Sequence, residues 1–244
     1  RVVLMHERFS RVDKAVGRVA SEKARGLLAD LGPSRIQLLS RDRGFSFDSD
    51  ARLDSRYDQS QELTAWHIVN EFPQEQLVKV LRLCGKPRLA GLIADAIVQR
   101  RESGRIDTVR ELADTIREAL GRTRRGQADV STEWLMTLRM VVNSELEEAE
   151  AGLDAATRAV APGGRIVVLS WDGTTHRVVR RKLRELARGC LCPPEMPCTC
   201  GRQPLVRLRE GKGKSASEEE QKRNRATRTC RLFSAEILPL PGSG

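Results

Sequence analysis

With 244 residues, 39% of them hydrophobic and 31% charged, the chain can build one large soluble domain or a domain carrying a sizeable insertion. No apolar run approaches the ~18–20 residues of a membrane-spanning helix and no secretory leader is visible, so neither a membrane protein nor a secreted disulfide scaffold is expected, and the cytoplasm (or an organelle matrix) is the expected compartment. The net charge is +10, and residues 170–244 hold 16 Lys and Arg against 8 Asp and Glu, a balance that suits RNA, although an Arg-rich composition alone would also give an Arg-rich surface.

The chain opens on a strand-like run, Val2-Val3-Leu4-Met5, with Phe9 beyond its carboxyl end. Val12–Ala20 reads as a short helix and Gly26–Ala29 as the next strand, giving a strand–helix–strand unit of a parallel sheet. That strand closes on Asp30-Leu31-Gly32-Pro33, the pattern of a buried strand delivering a carboxylate to a loop. The loop that follows, to Asp58, has no secondary-structure signal but carries Arg43, Phe45, Phe47, Arg56 and Tyr57. A loop of this length is functional or disordered, and its aromatics argue for order. Residues 60–130 read as four consecutive helices, one opened by a capping box at Thr108 and Glu111, with GRTRRG at 121–126 marking the exit.

From Ser131 one long helix, apolar on one face through Val160, is expected to stop at Pro162-Gly163-Gly164. Arg139 and Asn143 share a face of it at i, i+4. Arg165–Leu169 follows as a buried strand ending in Ser170-Trp171, then a basic helix at Thr174–Arg188. Leu205–Leu208 and Cys230–Leu238 pair as closing strands around a charged, flexible segment at Gly211–Asn224. The expected division is 1–59, first part of an α/β domain; 60–130, an inserted helical subdomain; and 131–244, the second part, with a Cys-rich loop at 190–200. In that loop Cys190, Cys192, Cys198 and Cys200 offer four thiolates to one tetrahedral zinc, with plain reduced thiols the other reading.

Ligands of open parallel sheets bind outside the carboxyl ends of the strands, and Phe9, Asp30 and Ser170-Trp171 each sit at such an end. The matches Asp30-Leu31-Gly32, Ser34, Gln37-Leu38, Arg43 to Phe47, Leu53-Asp54, Arg56 and Asp58 resemble the small-subunit ribosomal RNA cytosine-N4 methyltransferase family. The likeness continues through Arg139, Asn143 and Glu145, through Pro162-Gly163-Gly164-Arg165, and into the Cys loop. It implies an α/β fold: a Rossmann-type S-adenosylmethionine-dependent methyltransferase sheet, N-terminally truncated, with an inserted all-helical subdomain. The implied reaction is methyl transfer from S-adenosylmethionine to the exocyclic N4 of a cytosine. The implied partner is small-subunit ribosomal RNA, alone or in the assembling subunit.

The resemblance places Phe9, Asp30 and Gln37 at the cofactor and makes Asp30, Ser170 and Trp171 the candidate catalytic residues. Arg43, Phe45, Phe47, Arg56, Tyr57, Arg139, Asn143 and Arg177 are the candidate RNA contacts. Each has a structural alternative: a core ring for Phe9, a turn cap for Asp30, a private loop core for Phe45 and Phe47, a helix-surface network for Arg139 and Asn143. Two departures stand out. The family's glycine-rich loop would lie before Arg1, and its SFHSLEDRIVK segment here reads Ser170-Trp171-Asp172-Gly173-Thr174-Thr175-His176-Arg177-Val178-Val179-Arg180. The alternative reading is therefore a catalytically inactive, methyltransferase-like RNA-binding or ribosome-assembly protein.

Overall fold

In the computed structural model, which describes residues 2–40, 42–46, 49–121, 129–190, 192, 195 and 197–239, the elements follow one another as α1 (Val12–Val19), β1 (Ala24–Asp30) and α2 (Arg35–Leu39). Helices α3 (Ala65–Glu71), α4 (Gln74–Leu81), α5 (Ala90–Glu102), α6 (Val109–Leu120) and α7 (Thr132–Val142) come next. The chain then forms α8 (Glu145–Ala159), β2 (Val160–Ser170), α9 (Gly173–Ala187), β3 (Val206–Leu208), β4 (Lys214–Ser215), α10 (Glu218–Arg223) and β5 (Arg231–Ile237). These elements make two compact units, Arg1–Gly32 with Leu146–Gly244, and Pro33–Glu145. The helical unit is thus wider than 60–130, taking in the motif loop and α7.

In the first unit β1 and β2 pair in parallel, Leu27 opposite Ile166 and Asp30 opposite Leu169. A parallel pair needs a crossover, which α8 completes. Strand β5 runs antiparallel to β2, with Phe233 opposite Val168, and β3 and β4 both pair with β5. The strand period of two buries Ile166, Val168 and Ser170 of β2 and Phe233, Ala235 and Ile237 of β5. Against them pack Leu153 and Ala156 of α8 and Val179 and Leu183 of α9. The second unit closes on Leu53, Ile68, Leu77, Ile93, Ile97, Leu112, Ile116, Trp134 and Leu138. Its four central helices and the Thr108–Glu111 capping box fall where the sequence pattern puts them. Among the described residues no helix is long and apolar enough to cross a membrane.

Five expectations are corrected. Val2–Met5 forms no strand and is exposed, because apolar residues become a strand only where a neighbour supplies the ladder. Strand β1 forms but is not buried: it pairs only with β2 among the described residues, and Leu28 is 70% exposed. The long helix breaks at Asn143-Ser144, where Ser144 turns left-handed at φ +49, so α7 and α8 are separate. The helix ends at Ala159, and Pro162-Gly163-Gly164 lies inside β2 as an irregularity in which Ala24 and Gly26 face Val160 and Arg165. The segment 211–224 contains β4 and α10, the latter closed by a Ser217–Glu220 capping box. Of GRTRRG, Arg122–Gly126 lie outside the described residues.

Candidate active site

The parallel pair delivers two strand ends side by side, and the Leu31 amide donates to the Leu169 carbonyl at 3.0 Å, locking the register there. Asp30 stands exposed at this edge, and its Oδ1 accepts a 2.7 Å hydrogen bond from the Trp171 indole Nε1–H. Oδ2 has no partner among the described residues. Ser170, by contrast, is fully buried, and its Oγ has no hydrogen-bond partner among the described residues. A hydroxyl with no accessible surface cannot touch a substrate, so of the three candidate catalytic residues Ser170 supports the edge from beneath. Its carbonyl accepts from His176 Nε2 at 3.0 Å.

Asp172, in the segment that departs from the family pattern, caps α9. Its Oδ1 accepts from the Thr174 and Thr175 amides at 2.9 Å each, and its Oδ2 from Thr175 Oγ1 at 2.7 Å. The changed residues therefore still build the strand-to-helix turn and brace Asp30. Arg177 is exposed on the first turns of α9, with Nη2 donating to Thr174 Oγ1 at 3.0 Å. Phe9 is half-buried and lies on Gly152 of α8, where an added Cβ would overlap the ring. It packs on the sheet unit's core, as the structural alternative for this ring has it.

In the helical unit Gln37 completes a capping box with Ser34: its Oε1 accepts from the Ser34 amide at 2.8 Å, leaving Nε2 as its free polar group among the described residues. The motif loop turns its characteristic residues inward. Arg43 Nη2 donates to the carbonyls of Arg56 and Tyr57 at 2.8 Å each. Phe45 is only 4% exposed, with its ring 5.9 Å from that of Tyr57 and the Arg43 guanidinium 5.7 Å over it. Arg56 grips both oxygens of Asp54 at 2.8 Å and also donates to the carbonyls of Gln59 and Gln61. Burial raises the Asp54 carboxyl, but bonds from the Arg56 side chain and amide outweigh it and hold it below its ordinary value.

Asn143, where the expected long helix breaks, accepts from the Tyr57 amide at 2.6 Å and donates to the Ser55 carbonyl at 2.7 Å. Arg139 and Glu145 form a buried ion pair at 2.7 Å, and Glu145 also accepts from the Tyr57 hydroxyl at 2.9 Å. Arg43, Phe45, Arg56, Tyr57, Arg139 and Asn143 thus hold the loop's own shape. The structural alternative accounts for them here: the guanidinium groups of Arg43, Arg56 and Arg139 donate to carboxylates and carbonyls of their own unit, and the Phe45 ring is covered. Phe47 lies outside the described residues. The motif's glycine has a physical reason: Gly44 sits at φ +69, and an added Cβ would lie 2.5 Å from the Arg52 carbonyl oxygen. Gly44→Ala should therefore cost at least about 1–3 kcal/mol from backbone strain alone, read as a lower midpoint in urea unfolding.

Two features were missed or only partly legible. Lys222, Arg225 and Arg228 are exposed and line an open groove of about 440 Å³ with Glu218 and Gln221; none of the three makes an ion pair among the described residues. The basic bias of the C-terminal third was their signal in the sequence. The four loop thiols, Cys190, Cys192, Cys198 and Cys200, converge so that their sulfurs all lie within 4.8 Å of one another. Hydrogen bonds among the thiols, Cys198 first, push Cys190 up to about 12, while the Thr199 and Cys200 amides draw Cys192 down.

The family match makes this a Rossmann-like, S-adenosylmethionine-dependent methyltransferase, and the parallel pair extended by antiparallel strands, with a carboxylate at its carboxyl end, agrees with that class. The chain belongs to the MraW methylase family, whose model matches residues 1–238. It is 39% identical over 243 residues to the ribosomal RNA small subunit methyltransferase H of Geotalea daltonii, covering 98% of this chain and 77% of that protein. The proteins of the same name from Heliobacterium modesticaldum and Caldicellulosiruptor saccharolyticus are 37% and 34% identical over 241 and 238 residues, each again covered over 77% of its length. The reading as a catalytically inactive relative is not favoured by this likeness across nearly the whole chain.

Proposed function

We propose that the chain methylates the exocyclic N4 of a cytosine in small-subunit ribosomal RNA, acting in the cytoplasm on that RNA or on the assembling subunit. The observation that carries this reading is Asp30: an exposed carboxylate at the carboxyl edge of the parallel pair, oriented by Trp171, with one oxygen open.

The donor set at this edge fits S-adenosylmethionine. An anionic oxygen suits a molecule bearing a cation and N–H or O–H groups, and the partly exposed Trp171 ring offers apolar surface beside it. When bound, the cofactor supplies an electrophilic methyl group on a sulfonium. The protein's part is then positioning: Asp30 accepts a hydrogen bond and fixes the orientation of the group that donates it, and Trp171 keeps the carboxylate from rotating. Methylation of an exocyclic amine also releases a proton, which passes to solvent at this exposed edge.

For the RNA, the exposed groove at Lys222, Arg225 and Arg228 and the outward Arg177 offer cations to phosphates. Replacing Lys222, Arg225 and Arg228 together by Ala should weaken RNA binding and flatten the slope of log K against log salt by about 2–3, measured by filter binding over a salt series. An unchanged slope would place the phosphate contacts elsewhere. The cofactor half of the reading is tested by calorimetric titration of S-adenosylmethionine into the protein. Saturable one-site binding, weakened by Asp30→Ala with the fold intact, is the expected result, and equal affinity in both proteins would refute the role given to Asp30.

A further inference from the structure

The loop between α9 and β3 is tied at both ends but has little core of its own. The Leu205 amide donates to the Leu186 carbonyl at 2.9 Å, and Arg202 reaches the Glu185 carbonyl at 3.1 Å. Between these anchors the backbone makes no strand or helix among the described residues, and Cys190, Cys198 and Cys200 are exposed. Four cysteines of this loop nevertheless meet.

The geometry of that meeting is specific. Zinc bound to four thiolates at about 2.3 Å in a tetrahedron sets its sulfurs about 3.8 Å apart. The Cys198 and Cys200 sulfurs are 3.7 Å apart, those of Cys200 and Cys190 are 3.8 Å apart, and no two of the four are separated by more than 4.8 Å. A disulfide, by contrast, needs about 2.05 Å. The thiols come as two C-x-C pairs, and the two pairs converge on one point. Backbone amides supply the surrounding shell, with the Cys192 amide donating to Cys190 Sγ at 3.3 Å and the Thr199 amide to Cys192 Sγ at 3.4 Å.

We infer that Cys190, Cys192, Cys198 and Cys200 form a structural zinc site that clamps the loop between α9 and β3. All four positions are filled by protein sulfur, so the site has no open position and plays no part in methyl transfer. Its effect is on folding: binding joins loop ends that otherwise cost closure entropy and secures the short strand β3 at the sheet edge.

The test uses the whole protein, purified under reducing conditions without chelator. Elemental analysis should find one zinc per chain, displaced on titrating the thiols with a mercurial. Cobalt added in place of zinc should give the intense visible absorption of a tetrahedral tetrathiolate site together with sulfur-to-cobalt charge transfer. Cys198→Ser with Cys200→Ser should abolish the stoichiometric metal. A chelator should lower the melting temperature of the unsubstituted protein but not that of the double variant. If the double variant does not fold, the cobalt spectrum of the unsubstituted protein decides alone. Failure of the reduced protein to bind zinc or cobalt, retention of the metal by the double variant, or two disulfides among these cysteines in the reduced-handled protein would each overturn the inference. None of these readouts depends on methyl transfer.

Discussion

Arg139→Met should destabilise the helical unit by about 3–5 kcal/mol, the cost of leaving one partner of a buried ion pair unpaired. The side chains of Arg139 and Glu145 are each only 10% exposed, so water cannot take over the solvation of whichever charge remains. The damage should also reach the motif loop, because the carboxylate that Arg139 holds accepts from the Tyr57 hydroxyl, and Tyr57 stacks on Phe45. Urea unfolding followed by circular dichroism gives the size of the effect. Adding Glu145→Gln, which removes the stranded charge but keeps an acceptor for Tyr57, should restore a large part of the loss. If Arg139→Met is as stable as the parent, the pair is not the loop's anchor.

Asp30→Asn should lower methyl transfer about ten- to hundredfold, the weight of one hydrogen bond to a charged group, while leaving the melting temperature unchanged. Asn is the informative replacement because its side-chain oxygen still accepts from the Trp171 indole, so the strand end keeps its geometry and only the negative charge is lost. Asp30 is exposed and at the end of an edge strand, so stability should not report on it. A variant that unfolds, or one that transfers at the parent rate, would each count against the role assigned to this carboxylate.

The sequence showed the elements better than the directions in which side chains point. The four helices between residues 65 and 120 and the strand closing on Asp30 carry local signals, periodicity, a capping box and an acid-Gly-Pro stop, and local physics is what a sequence displays. Whether Phe45 faces a base or its own loop depends on Tyr57 and, through it, on Glu145, which is 88 positions away from Tyr57, and no pattern within the motif states that. The same holds for the break at Asn143-Ser144. Neither residue is a helix breaker by propensity, and Asn143 leaves the helix because its amide is used by the backbone of Ser55 and Tyr57. Basic residues were legible as a bias but not as a groove, since Arg43, Arg56 and Arg139 are internal ties while Arg225 and Arg228 make no ion pair among the described residues. The Cys loop lies between these cases: C-x-C spacing suits a metal site and reduced thiols alike, and the convergence of the four sulfurs within 4.8 Å is visible only in three dimensions.

The most direct measurement supplies S-adenosylmethionine with a labelled methyl group to the protein together with small ribosomal subunits from cells lacking the modification. The RNA is then digested to nucleosides for mass spectrometry. The account predicts one labelled product, N4-methylcytidine, lost or sharply reduced with Asp30→Asn. Label on another atom of cytidine, on another base, or on no RNA at all would contradict it.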